Sequence, residues 1–263
     1  MIDAGAAELP VDTPAFEILH AGTQVPLVLL CDHASNAIPI RLARLGLALE
    51  ETTTHIAWDI GAAEVVRQLS ARLRAVAILS GCSRLVVDCN RAPGDPAAMP
   101  AITGGVMVPG NRDLNEAEAE ARRRDYFHPY HEAAAVQVAR LASYGVPPLV
   151  VAIHSFTPNL CGDSRPWHVG VLWNRDPRLA VRFLGALRSD PGLCVGENQP
   201  YSAREIGYTL DRHAGAAGLP HLALEIRQDQ LADSADRARW AGRIGDLLAG
   251  LLAEPSIHRV EFY

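Results

Sequence analysis

Two stretches of this chain are apolar on every residue for the length of a strand and then stop abruptly at polar ones. Residues 25–31 read VPLVLLC and run into DHASN; residues 149–153 read LVVAI and run into HSF. A third, 222–226 within HLALEIR, is broken only by Glu225. A strand with one face in water alternates apolar and polar residues, whereas a strand apolar throughout is covered on both faces. Runs of this kind belong to central strands of a mostly parallel sheet, and helices must supply the cover.

The segments between them supply helices. Ile60, Ala63, Val66, Leu69 and Leu73 repeat at helical spacing, which predicts a helix over 60–73. Residues 177–188 and 234–252 read as further helices. Residues 115–143 read as one long helix interrupted at Pro129, with Asn115 as its cap and Glu116, Glu118 and Glu120 favoured by the dipole of its first turn. Residues 75–79, 85–87 and 169–173 read as further strands. Residues 91–112 are rich in Pro and Gly and carry no period, the mark of a functional loop or lid. The expectation is a single α/β domain over 1–263 with a mostly parallel or mixed sheet, helices on both faces and residues 1–15 as a surface arm. At 263 residues, 49% of them hydrophobic, the chain can bury its core without disulfides.

Several function classes drop out. All 24 basic residues are arginine, so Schiff-base lysines and a P-loop lysine are excluded. Net charge is −6 with no long basic stripe, which argues against nucleic-acid binding. The run 122–124 (RRR) is flanked by acids and reads as a solvated helix face. No apolar run reaches the ~18 residues of a membrane span. The N-terminus has no basic region before an apolar stretch, so the expected location is cytoplasmic. Five cysteines without a C-x-x-C fit reduced thiols.

In open α/β sheets ligands bind beyond the carboxyl ends of the strands. There this sequence places Asp32, His33 and Asn36; Asp88, Asn90 and Arg91; His154 and Ser155; and Glu225 with Arg227. Two histidines at the ends of two central strands suit a metal, and a catalytic zinc needs a third protein ligand and an open position. Asn36 lies three residues after His33 but is a weak, neutral donor. Asp59 is the better charge match, with capping of the following helix as its other reading. Glu225 is either salt-bridged to Arg227 or another arginine, or is a general base for a metal-activated water. Arg84 and Arg91 bracket an apolar run, and Asp88 either forms a structural ion pair with one of them or orients one guanidinium while the other meets substrate. His128 and His131 lie three apart on a predicted helix, one of them lining the site. A serine or cysteine hydrolase built on Ser155, Cys31 or Cys89 is a rival, although no G-x-S-x-G elbow is present. A non-catalytic carboxylate-binding protein is another, motivated by Asn36.

The ordered set DHASNAIP, HIAWDIGA, SRLVVDCNR, FHPYHEA, VVAIHSF and LEIRQDQL, from about Leu29 to Leu231, resembles the N-formylglutamate amidohydrolase family. That family looks related to zinc carboxypeptidases and aspartoacylase. The resemblance implies a phosphorylase/hydrolase-like α/β fold, one zinc ion, and a small carboxylate-bearing amide as substrate. It implies His33 and His154 as metal ligands. The relatives' glutamate position is occupied here by Asn36, which leaves Asp59 as the expected third ligand. By the same resemblance Arg84 polarises the scissile carbonyl, Asn90 and Arg91 grip the substrate carboxylate, and Glu225 is general base and then acid. Asp88, His131 and Thr209 stand near the substrate, with Tyr208 and His213 close by.

Overall fold

The computed structural model describes residues 13–160 and 162–263. Seven strands form one sheet: β1 (Phe16–Leu19), β2 (Leu27–Cys31), β3 (Val76–Ser80), β4 (Leu149–Phe156), β5 (Val169–Leu172), β6 (Val195–Glu197) and β7 (His221–Arg227). Their spatial order is β1-β3-β2-β4-β7-β5-β6. The four central strands run parallel, β1 joins antiparallel at one edge, and β5 with β6 run antiparallel to β7 at the other. The sheet is therefore mixed around a parallel centre, and the strands that are apolar throughout in the sequence are its innermost members.

Alternation along these strands feeds two apolar layers. Leu27, Leu29, Leu149, Val151, Leu222 and Leu224 pack in one with helices α1 (Ala62–Leu73), α4 (Arg178–Arg188) and α6 (Ser234–Leu252). Val28, Leu30, Val150, Ala152 and Ala223 pack in the other against helix α3 (His128–Ala142) and Leu210 of the short helix α5 (Tyr208–His213). Each fully buried Leu or Val contributes roughly 1.5–3 kcal/mol. Among the described residues no helix is long and apolar enough to cross a membrane.

The predicted helix over 115–143 forms, with a local change of pitch. Helix α2 (Glu116–Arg122) is capped by the Asn115 side chain, which accepts from the Glu118 N–H. It passes through a π-helical turn, Arg123–Phe127, into α3, whose first turn holds Pro129. Proline has no N–H and its ring crowds the carbonyl four residues back; the wider turn relieves both while the rod continues.

Three expectations are corrected. Residues 85–87 are not a strand but a turn segment: Ser83 Oγ accepts from Leu85 N and donates to the Ala57 carbonyl. The Leu85 and Val86 carbonyls are satisfied by Asn111 Nδ2 and Arg122 Nη1 instead of a neighbouring strand. Arg122 is accordingly not on a solvated face but buried, its guanidinium also held by Asn111 Oδ1, the Gly110 carbonyl and Glu118. Strands β1 and β6 have no counterpart in the sequence pattern; they are short and only partly buried, so their apolar signal is weak. Residues 1–12 of the expected arm lie outside the described residues, as does Cys161; Cys31, Cys82, Cys89 and Cys194 are free thiols.

The expected loop 91–112 contains a short turn, Pro96–Ala98, a hairpin pairing Ile102–Thr103 with Val106–Met107, and a helical turn, Pro109–Arg112. Gly104 and Gly105 form the hairpin tip with φ of 55° and 79°, left-handed values that glycine adopts without strain.

Candidate active site

Strand β2 turns one way to β3 and the chain returns on its other side as β4, so the carboxyl ends of β2 and β4 flank a change of direction in the strand order. A cavity of about 250 Å³ opens there, just below the roughly 300–1,000 Å³ usual for ligand pockets and sized for a small molecule. His33, His55, Asp59, Arg84, Asp88, Asn90, Arg91, His154, Ser155, Tyr201, Glu225 and Gln228 are among its walls.

Parallel pairing sets Glu225 of β7 opposite His154 of β4, so the two side chains stand side by side on one face. His33 follows the end of β2. Asp59 comes from the turn before α1, and its side chain faces away from that helix. The cap position is Gly61, without a side-chain hydrogen bond, while the Asp59 backbone carbonyl accepts from Ala62. The capping reading of Asp59 therefore fails, and the carboxylate is left for the site.

Asp59 Oδ2 is the meeting point. It lies 3.2 Å from His33 Nδ1 and 2.8 Å from His154 Nδ1, and it accepts from Ser155 N at 3.3 Å. The opposite ring nitrogens meet two other carboxylates: His33 Nε2 is 2.8 Å from Asp88 Oδ1, and His154 Nε2 is 3.2 Å from Asp32 Oδ2. Asp32 Oδ1 in turn accepts from Tyr130 Oη and Thr209 Oγ1, both at 2.8 Å. Asp88 also holds Arg84 at 2.7 Å and accepts from Asn90 N, while Arg84 Nη1 is 3.6 Å from Asp59 Oδ1. His33 is thus held at both ring nitrogens, both imidazoles direct Nδ1 onto one oxygen, and the Asp32 carboxylate faces His154 Nε2 without a hydrogen bond.

The electrostatics follow from burial. Asp32, Asp59, Asp88 and Glu225 are four buried carboxylates. Burial by itself raises a carboxylate's pKa; at Asp59 the His33 charge and the hydrogen bonds of His154 and His33 outweigh it and hold the group well below the ordinary range. Arg84 and His33 do the same for Asp88. Burial would lower His154, but the carboxylates of Asp32 and Asp59 beside its ring raise it well above the usual value; burial and Arg84 would lower His33, but Asp88 and Asp59 raise it. Glu225 goes the other way: burial pushes it up to about 7, and its Oε2 has no hydrogen-bond partner. The alternative bridge to Arg227 is absent, since that guanidinium pairs with Asp229.

The remaining expected residues fall into two groups. Asn90 and Arg91 line the cavity; Asn90 Oδ1 accepts from Thr209 N, which fixes the orientation of its amide. Asn36, the alternative third ligand, donates Nδ2 to the Thr52 carbonyl and is not part of the cavity wall. Thr209 and His131 do not line the cavity either. Thr209 supports Asp32, and buried His131 bonds to His213 Nε2 at 2.8 Å and to the Cys89 carbonyl. His128 is exposed and Tyr208 packs near His131. The sequence pattern does not single out His55 and Tyr201, which come from segments without strand-end placement, nor Gln228, although it directly follows β7, and it gives no task to Asp32 although that residue stands next to His33.

A serine or thiol nucleophile finds no base here. Ser155 Oγ donates to the Ile60 carbonyl, and burial pushes the Cys31 and Cys89 thiols well above their usual range. The arrangement suits a divalent cation instead. One atom each from His33, Asp59 and His154 lies within 4.8 Å of the others, all three residues being buried. Two nitrogens and one oxygen are a catalytic zinc donor set, and carboxylates on the far ring nitrogens are the usual outer support of such a set.

A model of the N-formylglutamate amidohydrolase family matches residues 25–232. Among solved structures, a gene product of Agrobacterium tumefaciens is 36% identical with a TM-score of 0.88, the match covering 91% of this chain and 95% of that one. N-formylglutamate amidohydrolase from Ralstonia eutropha shares the fold with a TM-score of 0.64 at 20% identity, over 91% of this chain and 97% of that one. No curated protein matches significantly. The family match takes in every residue of the cluster described above, from Asp32 to Glu225, and the chain belongs to the N-formylglutamate amidohydrolase family.

Proposed function

We propose that this chain is a metal-dependent amidohydrolase that cleaves the amide of an N-formyl or N-acyl acidic amino acid, N-formylglutamate first among them. The observation that carries the reading is the convergence of His33, His154 and Asp59 beside Glu225, a buried carboxylate with one unpartnered oxygen. His33, Asp59 and His154 would hold the ion, and zinc is the metal this donor set favours. When bound, the ion supplies Lewis acidity, lowering the pKa of water towards about 7 and drawing charge from a carbonyl oxygen.

The protein's own groups do the rest. Glu225 takes a proton from the attacking water and passes it to the departing amide nitrogen, a task suited to a carboxyl poised near working pH. Arg84, braced by Asp88 and Asp59, donates to the amide oxygen as negative charge builds there. Asn90 has its Oδ1 occupied by Thr209 N, so its Nδ2 is the end presented to a substrate carboxylate, with Arg91 beside it. Asp88 and Asp32 act through the imidazoles they orient.

The test is elemental analysis of protein prepared without a metal-affinity tag, alongside His33→Ala, with release of formate from N-formyl-L-glutamate measured on both. About one equivalent of zinc in the parent, lost in the variant together with formate release, is the expected result. Failure to take up any transition metal, even when zinc is offered in solution, would overturn the reading.

A further inference from the structure

The cavity region contains a buried positive charge that no carboxylate among the described residues neutralises. Arg165 is only 9% exposed. Its guanidinium donates to Tyr201 Oη at 2.9 Å and lies over the Tyr201 and Phe156 rings, at 4.9 and 5.9 Å from their centres. The contrast with Arg122 is direct: also buried, that guanidinium meets Glu118, Asn111 and two backbone carbonyls. Aromatic faces and one hydroxyl compensate a buried guanidinium only in part.

Arg165 sits one phenol oxygen from the cavity, because Tyr201 is part of the wall. Tyr201 Oη accepts from Arg165, which leaves the hydroxyl proton to donate to a ligand. His55 is also part of the wall, and its Nε2 is buried without a partner beneath the hairpin tip at Gly104. Burial, with Arg165 and Arg84 nearby, lowers the pKa of this ring, so it is a neutral imidazole that can offer one N–H. None of these three residues has a part in the hydrolytic chemistry described above, and none belongs to the Asn90–Arg91 clamp.

We propose that Arg165, Tyr201 and His55 form a second anion subsite, distinct from Asn90–Arg91, that selects N-acyl amino acids with a side-chain carboxylate over those with an uncharged side chain. The substrate's second carboxylate is the missing counterion of Arg165, received by the Tyr201 hydroxyl and the His55 N–H. The choice of substrate class rests on the amidohydrolase reading; the binding of a diacid does not.

Two measurements test it on the intact protein. The first compares kcat/KM for N-formyl-L-glutamate and N-formyl-L-glutamine, which differ only in the side-chain charge. The second compares binding of glutarate and its monoamide, glutaramate, by calorimetry. The parent protein is expected to prefer the glutamate substrate about 100-fold. Arg165→Met should bring that ratio to within a few-fold, the loss falling on KM for N-formylglutamate, and remove the preference for glutarate. Because the variant deletes an unpaired buried charge, its melting temperature without ligand should not fall. Should it fail to fold, Tyr201→Phe, which deletes one hydroxyl, carries the same comparison. Equal use of both substrates by the parent, or an unchanged ratio in both variants, would overturn the subsite and leave the amidohydrolase reading intact. No turnover of either substrate, with Arg165-dependent preference for glutarate, would overturn the amidohydrolase reading and leave the subsite.

Discussion

Two pairs of histidines lie close together in this protein, and their ring centres are 5.1 Å apart in both. In one, His33 and His154 do not bond to each other; each is bracketed by carboxylates, and both pKa values are raised. In the other, His131 and His213 stack at 22°, bond directly to each other, and form no hydrogen bond with a charged group. Burial pushes both of these down to about 4. Asp32 stands between the pairs, bonded to Thr209 and Tyr130 and facing His154. Equal spacing with opposite pKa shifts shows that carboxylate neighbours, and not the proximity of two imidazoles, decide which way a buried histidine moves.

The largest effects should separate the two pairs. His33→Ala removes one of the three proposed ligands and should abolish zinc retention, whereas His131→Gln should keep the ion; metal content after dialysis reads both, and equal loss would erase the distinction. Glu225→Gln should keep the fold and the ion while lowering kcat by about 10²–10⁴, the span usual for a general acid–base group. Steady-state kinetics with metal analysis on the same sample checks this, and a variant with near-parental kcat would remove Glu225 from the mechanism.

Much of this contrast is legible in the amino-acid sequence, for a physical reason. Strands apolar on both faces have to be central, and polar residues directly after them have to reach the carboxyl edge, so strand-end position alone groups His33, His154 and Glu225. Asp59 is half legible: its charge suits a metal, but an Asp before a helix is equally a cap, and only the turn at Gly61 shows that it faces away. His131 is drawn too close to substrate because helical spacing says which residues share a face but not what that face meets. Residues 85–87 mislead because an apolar run buried in a turn looks like a short strand when its carbonyl partners, Asn111 and Arg122, are distant in sequence. Arg165, Tyr201 and His55 give no local signal; their relation exists only once three loops are folded together.

The next effect is smaller and concerns the bridge between the pairs. Asp32→Asn keeps the shape and removes the charge behind His154. Loss of such an outer carboxylate typically weakens metal affinity about 10–100-fold, and competition with a chromophoric chelator would measure it. Asp88→Asn should act similarly through His33, with an added loss of kcat because Arg84 is also released. Affinity unchanged in both would mean that the imidazoles are oriented by packing alone.

The smallest effect belongs to the second pair and appears in stability. An unfolded imidazole takes up a proton near its usual value of about 6.5, whereas folded His131 refuses one until about 4. Between those values the unfolded chain binds more protons, so the contribution to stability is complete above pH 6.5 and is lost progressively as pH falls towards 4. From pH 6.5 to 5.5 the loss for one such group is about 1 kcal/mol, small enough to be hidden among other titrations in a single denaturation curve. The difference between the parent and His131→Gln isolates it: the glutamine variant starts less stable, since its partners His213 and the Cys89 carbonyl lose their bonds, but should fall less steeply over the same interval. Urea denaturation at three pH values with saturating zinc holds the first pair fixed while the second titrates. Parallel slopes in the two proteins would mean that His131 takes its proton as readily when folded as when unfolded, and the contrast between the pairs would then rest on geometry alone.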